Sequence, residues 1–122
     1  MRIRRPITLL ASALLGGSLV ALAQQAATTR RIPQLENEHV RVWKSIIVPN
    51  QPLTLHRHDF GRVIVALKGG TLKIVPENGD SRSVVWETGS AYWLPADPPN
   101  QLHGDLNEGP ETMEVMVVEM RR

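Results

Sequence analysis

Short segments of β-type sequence, separated by turn residues, follow one another from residue 38 to the end of the chain. The segments are rich in Val, Ile, Leu and Thr, as in 62–67 (RVIVAL) and 113–120 (MEVMVVEM). Gly and Pro interrupt them, and Asn78-Gly79 is a pair typical of a two-stranded hairpin. We expect about eight strands and no helix of normal length. The pattern predicts an all-β, antiparallel sandwich or barrel in one domain.

The histidines are placed unevenly along these segments. His56 and His58 flank Arg57, and a third, His103, lies on a later predicted strand. Residues two apart in a strand face the same way, so His56 and His58 should project to one face, about 6.5–7 Å apart. Neutral imidazole binds divalent transition metals well, and three imidazoles leave a coordination position open. The alternative is that these histidines form hydrogen bonds on a polar patch. His39 stands alone near the first strand and should be structural or exposed.

The start of the chain has a different character from the rest. A basic head (MRIRR) precedes an apolar stretch, and Ala21 and Ala23 frame a small-residue cleavage site. Residues 1–23 are therefore predicted to be a secretory signal peptide, which implies a periplasmic or secreted protein without stable membrane insertion after cleavage. An uncleaved membrane anchor is the alternative. Residues 24–37 lack a sustained period and are predicted to be a flexible leader to a domain at 38–122.

Net charge changes when the predicted signal peptide is left out. The whole chain carries +2, but Arg2, Arg4 and Arg5 lie in the first 23 residues, so 11 basic residues then face 12 acidic ones. The resulting charge of −1 removes the electrostatic argument for nucleic-acid binding. The chain contains no cysteine. An exported domain of this size must then be held by its core, by a metal or by self-association.

One stretch has the spacing of a known sequence motif. His56 and His58 are followed after three residues by Arg62, and after six more by Gly69. This spacing resembles the first motif of the cupin superfamily, which has glutamate where this chain has Arg62.

A later stretch, GSAYWLPADPPNQLHGDLN, resembles the second cupin motif. Gly89 is followed after five residues by Pro95, and His103 is followed after three by Asn107. The chain departs from this motif in having Asp97 where the family has glycine, and in a loop before His103 that is about three residues longer.

The resemblance covers roughly residues 38–120 and implies a small, single-domain, exported cupin. It implies a β-barrel or jelly roll in which His56, His58 and His103 hold one divalent transition metal ion (Fe, Mn, Zn, Ni or Cu), and it implies a homodimer. Three histidines without a carboxylate are similar to the ligand set of some iron dioxygenases of the superfamily, such as those acting on thiols or diketones.

Arg62 complicates this interpretation, because a guanidinium stays charged and would repel a nearby dication unless an anion lies between them. Three alternatives follow: Arg62 points away from three metal-binding histidines, it faces the cavity and binds an anionic substrate, or the metal has been lost. Asp59, Asp97 and Gln101 are candidates for a replacement ligand. Because Asp59 directly follows His58, it should face away from it.

The predicted substrate-binding residues are Arg62, Phe60 and Trp93, and no catalytic residue is assigned. The alternative, which the frequency of buried aromatics favours, is that Phe60 and Trp93 are ordinary core. Two functions therefore stay open: a metal-dependent, dioxygenase-like enzyme acting on a small anionic substrate, and a non-catalytic barrel that binds a small molecule or a metal. The missing glutamate favours the second slightly, and a fold alone cannot decide between them.

Overall fold

The computed structural model describes residues 27–122, so the predicted signal peptide lies outside the described residues. Every regular element within 27–122 is a β-strand, and no helix there could cross a membrane. The nine strands are β1 (Arg30–Glu36), β2 (Val40–Ile47), β3 (Leu53–His56), β4 (Arg62–Lys68), β5 (Gly70–Pro76), β6 (Arg82–Trp86), β7 (Ala91–Leu94), β8 (His103–Asn107) and β9 (Met113–Met120).

The strands form two antiparallel sheets. The larger has the order β1-β2-β9-β4-β7 and the smaller the order β3-β8-β5-β6. Strands that follow one another in the sequence are therefore often not adjacent in a sheet. For example, β9 lies between β2 and β4. The prediction of an all-β, antiparallel fold is confirmed, and so is the hairpin at Asn78-Gly79, which connects β5 to β6 with Gly79 at φ 109°.

The hydrophobic core lies between the two sheets. It is built from alternate residues of strands in both, because every second side chain of a half-buried strand points inward. The fully or nearly buried members are Trp43, Ile47, Ile64, Ala66, Leu72, Trp86, Met113, Val115 and Val117. In β9 this alternation continues from Val117 to Glu119, which places a carboxylate on the inner face.

The prediction of a flexible leader at 24–37 is wrong for Arg30–Glu36, and residues 24–26 lie outside the described residues. Residues Arg30–Glu36 form β1, which pairs antiparallel with β2 along the edge of the larger sheet. Its sequence shows no alternation because β1 is largely exposed, and the register shifts between Pro33 and Leu35. Proline is tolerated there because an edge strand needs fewer backbone donors. Backbone pairing, not apolar burial, orders this segment.

Candidate metal centre

The three histidines come from two distant parts of the chain and meet on the smaller sheet. His56 is the last residue of β3 and pairs directly with His103, the first residue of β8. His58 lies two residues beyond the end of β3, in the connection to β4. The prediction that His56 and His58 share one strand face is therefore wrong in its reason, because the strand ends at His56. His58 joins the other two from a loop.

The three imidazoles contact one another. Their ring centroids are 4.5 Å apart for His56 and His103, 4.9 Å for His56 and His58, and 5.7 Å for His58 and His103. One ring nitrogen from each lies within 4.8 Å of the others. This group could hold a metal ion.

Hydrogen bonds at Nδ1 decide which nitrogen faces the centre. His56 Nδ1 lies 2.7 Å from the Thr54 carbonyl oxygen, and His58 Nδ1 lies 2.8 Å from Glu119 Oε2. A carbonyl only accepts, so His56 Nδ1 must donate, and Nε2 of a neutral ring then carries the lone pair. This Nε2 is buried and has no hydrogen-bond partner within residues 27–122. A buried lone pair without a donor fits a metal ligand.

Burial keeps the imidazoles of His56 and His58 neutral. It lowers the pKa of His58 to about 2, and the positive charge of Arg62 acts in the same direction. Burial also lowers the pKa of His56. Since only neutral imidazole binds a metal, both rings are in the binding form at neutral pH.

The same shifts predict how the stability of the metal-free protein depends on pH. Unfolded histidines take up protons below about pH 6.5, whereas folded His56 and His58 resist protonation. The contribution of these two histidines to the free energy of unfolding should therefore be fully present above pH 6.5 and should decrease as the pH falls below it. Urea denaturation at pH 7.5, 6.5 and 5.5 measures this decrease while most carboxylates stay ionised. His58→Asn should make this pH-dependent decrease smaller, whereas His39→Asn, at an exposed position, should leave it unchanged. A urea midpoint that does not fall between pH 7.5 and 5.5 would contradict the prediction.

Arg62, the departure from the first motif, is buried, with 6 % of its surface exposed. It begins β4 on the inner face, opposite Glu119 of β9. Its Nη1 donates to the Pro95 carbonyl at 3.1 Å, and Nη2 lies 3.8 Å from Asp97 Oδ1. The guanidinium therefore faces the cavity, and a carboxylate lies beside it. This placement agrees with the alternative in which Arg62 points into the cavity and not away from the histidines.

Asp97, the departure from the second motif, contacts both Arg62 and two of the histidines. Its Oδ2 accepts a hydrogen bond from the His58 backbone N–H at 2.7 Å, and the Asp97 N–H donates back to the His58 carbonyl at 2.8 Å. Oδ2 also lies 3.4 Å from His103 Nδ1. The two unusual residues of the motifs thus form one ion pair, and its acid fixes the loop that carries His58.

The space beside the histidines is small. A cavity of ≈ 40 Å³ between the sheets is lined by His58, His103, Arg62 and core side chains. A single water needs about 10–15 Å³ on this measure, so only a few atoms fit. Arg62 and His103 also border an outer cleft of ≈ 220 Å³, together with Arg82 and Gln101. A molecule larger than a few atoms does not fit the inner cavity, whereas this cleft has room for one.

The other predicted site residues lie elsewhere. Trp93 is 59 % exposed and covers Gly61, because it follows the outward alternation of β7 and pairs with outward-facing Val63. Phe60 is 39 % exposed and borders an outer groove beside His58, not the inner cavity. Neither residue lines the inner cavity, and substrate binding by Phe60 and Trp93 stays a prediction.

Two of the proposed replacement ligands are also placed away from the centre. Asp59 is exposed and pairs with Arg57, and Gln101 is exposed at the cleft. Isolated His39 is exposed, as expected.

Three residues at the site were not found from the sequence. Asp105 lies two residues after His103 on the same face of β8, and this spacing was a usable signal. Glu119 shares a face of β9 with Met113, Val115 and Val117, but no signal in the sequence links it to His58. Arg31 belongs to β1, and its guanidinium lies over Trp43 at 4.9 Å, beside His58. Trp43 in turn stacks parallel to His58, with ring centroids 6.0 Å apart.

Comparison with known proteins identifies the fold. No protein-family model matches the sequence, and no curated protein matches it. Among solved structures, a cupin-domain protein of Bordetella pertussis is similar with a TM-score of 0.69 and 22 % identity, over 78 % of this chain and 95 % of that one. A protein with a double-stranded β-helix domain from Klebsiella pneumoniae matches with a TM-score of 0.59 and 23 % identity, over 78 % of each chain.

A third structure, an RmlC-like cupin family protein of Methanocaldococcus jannaschii, matches with a TM-score of 0.60 and 16 % identity, over 80 % of this chain and 84 % of that one. The chain therefore has the cupin fold, a double-stranded β-helix, as the two sequence motifs predicted. Identities this low describe the architecture and leave the chemistry to the site.

Proposed function

We propose that this protein binds one divalent transition metal ion through His56, His58 and His103 and acts on a small anionic molecule beside it. The supporting observation is the convergence of three imidazoles, each offering a ring nitrogen within 4.8 Å of the others. A lone buried histidine is commonly structural. Three from two distant segments, one with an unpartnered buried Nε2, form an arrangement that a metal ion explains.

A bound metal would supply Lewis-acid or redox chemistry at its open position. The protein residues around it hold the ligands in place. The Thr54 carbonyl and the Glu119 carboxylate accept at Nδ1 of His56 and His58, which fixes the orientation of each ring.

The anionic character of the substrate is proposed from the cations at the site. Arg62 borders both the inner cavity and the outer cleft, and Arg82 lies on the cleft wall. Arg31 borders the inner cavity from β1. Arginine presents paired donors that suit a carboxylate. A small carboxylate in the cleft could therefore reach the histidines while its charge is balanced by Arg62.

Metal content tests the proposal directly. The purified protein, including residues 27–122, should be stripped of metal with a chelator. Separate samples should then be loaded with Fe²⁺, Mn²⁺, Zn²⁺, Ni²⁺ or Cu²⁺. After desalting, elemental analysis should find close to one equivalent of at least one metal. Trace amounts in every case would refute it.

A non-catalytic role is the second candidate, and two observations favour it. Arg62 replaces the acid of the first motif, which removes a potential base, and the inner cavity admits only a few atoms. Oxygen consumption by the metal-loaded protein, screened with small thiols, diketones and carboxylates, separates the two functions. Turnover supports a dioxygenase-like enzyme, whereas tight ligand binding without turnover supports a binding protein.

We further propose export to the periplasm or the medium and a homodimeric state. Export is supported by the composition of residues 1–23, and a mature N-terminus at Gln24 would be the expected product. Self-association is supported by the half-buried apolar residues on the outer face of β9, such as Met116 and Val118. Light scattering from the purified protein measures the oligomeric state.

A further inference from the structure

Asp105 is an inward-facing acid in the middle of β8. It lies opposite Leu53 of β3 and Ile74 of β5, and its side chain is only 13 % exposed. His103 precedes it by two residues, so both side chains point to the same face of the smaller sheet. The strand therefore delivers an imidazole and a carboxylate to one place.

The carboxylate of Asp105 lies beside Nε2 of two histidines. Its Oδ2 is 3.4 Å from His56 Nε2, and its Oδ1 is 3.8 Å from His103 Nε2. No hydrogen bond to this carboxylate is formed within residues 27–122. Since His56 donates through Nδ1 to Thr54, its Nε2 carries a lone pair in the neutral ring. An acceptor nitrogen and a carboxylate oxygen then face each other with no donor between them.

We infer that Asp105 is a fourth ligand of the metal ion held by His56, His58 and His103. This inference depends on the proposed metal binding. Two ligand atoms bound at about 2.0–2.2 Å to one tetrahedral ion lie roughly 3.3–3.6 Å apart, which brackets the distance from His56 Nε2 to Asp105 Oδ2. A cation between these atoms turns an unfavourable contact between two acceptors into a favourable one.

The assignment also accounts for Arg62. The first cupin motif has an acidic residue at that position, and here a cation occupies it. Asp105 would supply the missing carboxylate from the smaller sheet, opposite the larger sheet that carries Arg62. Glu119 is less suited to this role, because its Oε2 already contacts His58 Nδ1 at 2.8 Å. Glu119 orients a ligand, whereas Asp105 is placed to be one.

The test compares Asp105→Asn with the wild type and with Asp80→Asn, an exposed aspartate on the β5–β6 hairpin. Each metal-free protein is titrated with Co²⁺ in competition with a chromophoric chelator, and its visible spectrum is recorded. We expect Asp105→Asn to bind Co²⁺ at least about 100-fold more weakly, beyond the range usual for residues that only orient ligands, and with a changed spectrum. Asp80→Asn should match the wild type.

The outcomes separate the inference from the proposal beneath it. If the wild type binds no Co²⁺, both are refuted. If the wild type binds and Asp105→Asn shows the same affinity and spectrum, only the role of Asp105 is refuted. Weaker binding with an unchanged spectrum would indicate that Asp105 acts through its charge alone, which also overturns its assignment as a ligand.

A second measurement needs no variant that might fail to fold. In wild-type protein labelled with ¹³C at aspartate carboxyl groups, Zn²⁺ should shift the Asp105 resonance more than that of Asp97 or any other aspartate. An Asp105 resonance that does not respond to bound Zn²⁺ would overturn the inference.

Discussion

Replacing His56 and His58 together with alanine should reduce metal binding from close to one equivalent to trace amounts. The double variant keeps only one of the three imidazoles, and a single histidine does not hold a divalent ion against a chelator. We expect the affinity to fall by at least about 10³-fold, more than the loss of an orienting partner causes. Elemental analysis after desalting and a chelator competition measure the two quantities.

His39→Ala is the matched control, because His39 is exposed and distant from the other three histidines in the sequence. It should bind metal like the wild type. Circular dichroism and urea denaturation show whether the double variant is folded, since both removed rings contact other side chains. Equal metal content in the folded double variant and the wild type would contradict the proposed site.

Replacing Asp97 with alanine should destabilise the metal-free protein by about 3 kcal/mol. The substitution removes the carboxylate beside Arg62, which stays buried and charged, and it removes the acceptor of the His58 N–H. Urea denaturation at pH 7.5 measures the effect. Asp80→Ala, a change at an exposed position, should alter stability by less than about 0.5 kcal/mol.

The double variant Asp97→Ala/Arg62→Met tests the reason for this effect. Without the guanidinium no unpaired charge is left behind, so the double variant should be less destabilised than the sum of the single variants, by about 1–3 kcal/mol. Strict additivity would show that the two residues do not act as a pair. The loss caused by Asp97→Ala would then come from the His58 loop alone.

The fold could be predicted from the sequence because the central strands have a recognisable apolar composition. β4 and β9 are runs of mainly apolar residues, and glycine and proline mark the turns between strands. β1 was missed because an exposed edge strand needs no such apolar run. Its order comes from pairing with β2, which is a property of the assembled sheet.

The candidate site was predicted in part. The grouping of His56, His58 and His103 could be inferred because two motifs with fixed spacing named them. The direction of Arg62 could not, since a residue that begins a strand has no inward or outward face until its partners are known. In the structure Glu119 and Asp97 flank it, and both are distant in sequence.

The two aromatic candidates lie outside the inner cavity. Phe60 and Trp93 were chosen for their chemistry and their closeness to the motifs, but alternation along β7 turns Trp93 outward. The same rule, applied from His103 to Asp105, would have found the acid that faces His56. Strand alternation was thus more informative than residue type at this site.

Anomalous X-ray diffraction from a crystal of the metal-loaded protein tests the central claim most directly. We predict one anomalous peak at about 2.0–2.2 Å from Nε2 of His56, His58 and His103. No peak at this point in crystals of protein that carries one equivalent of metal, or a peak bound through Nδ1 or away from these three histidines, would contradict it.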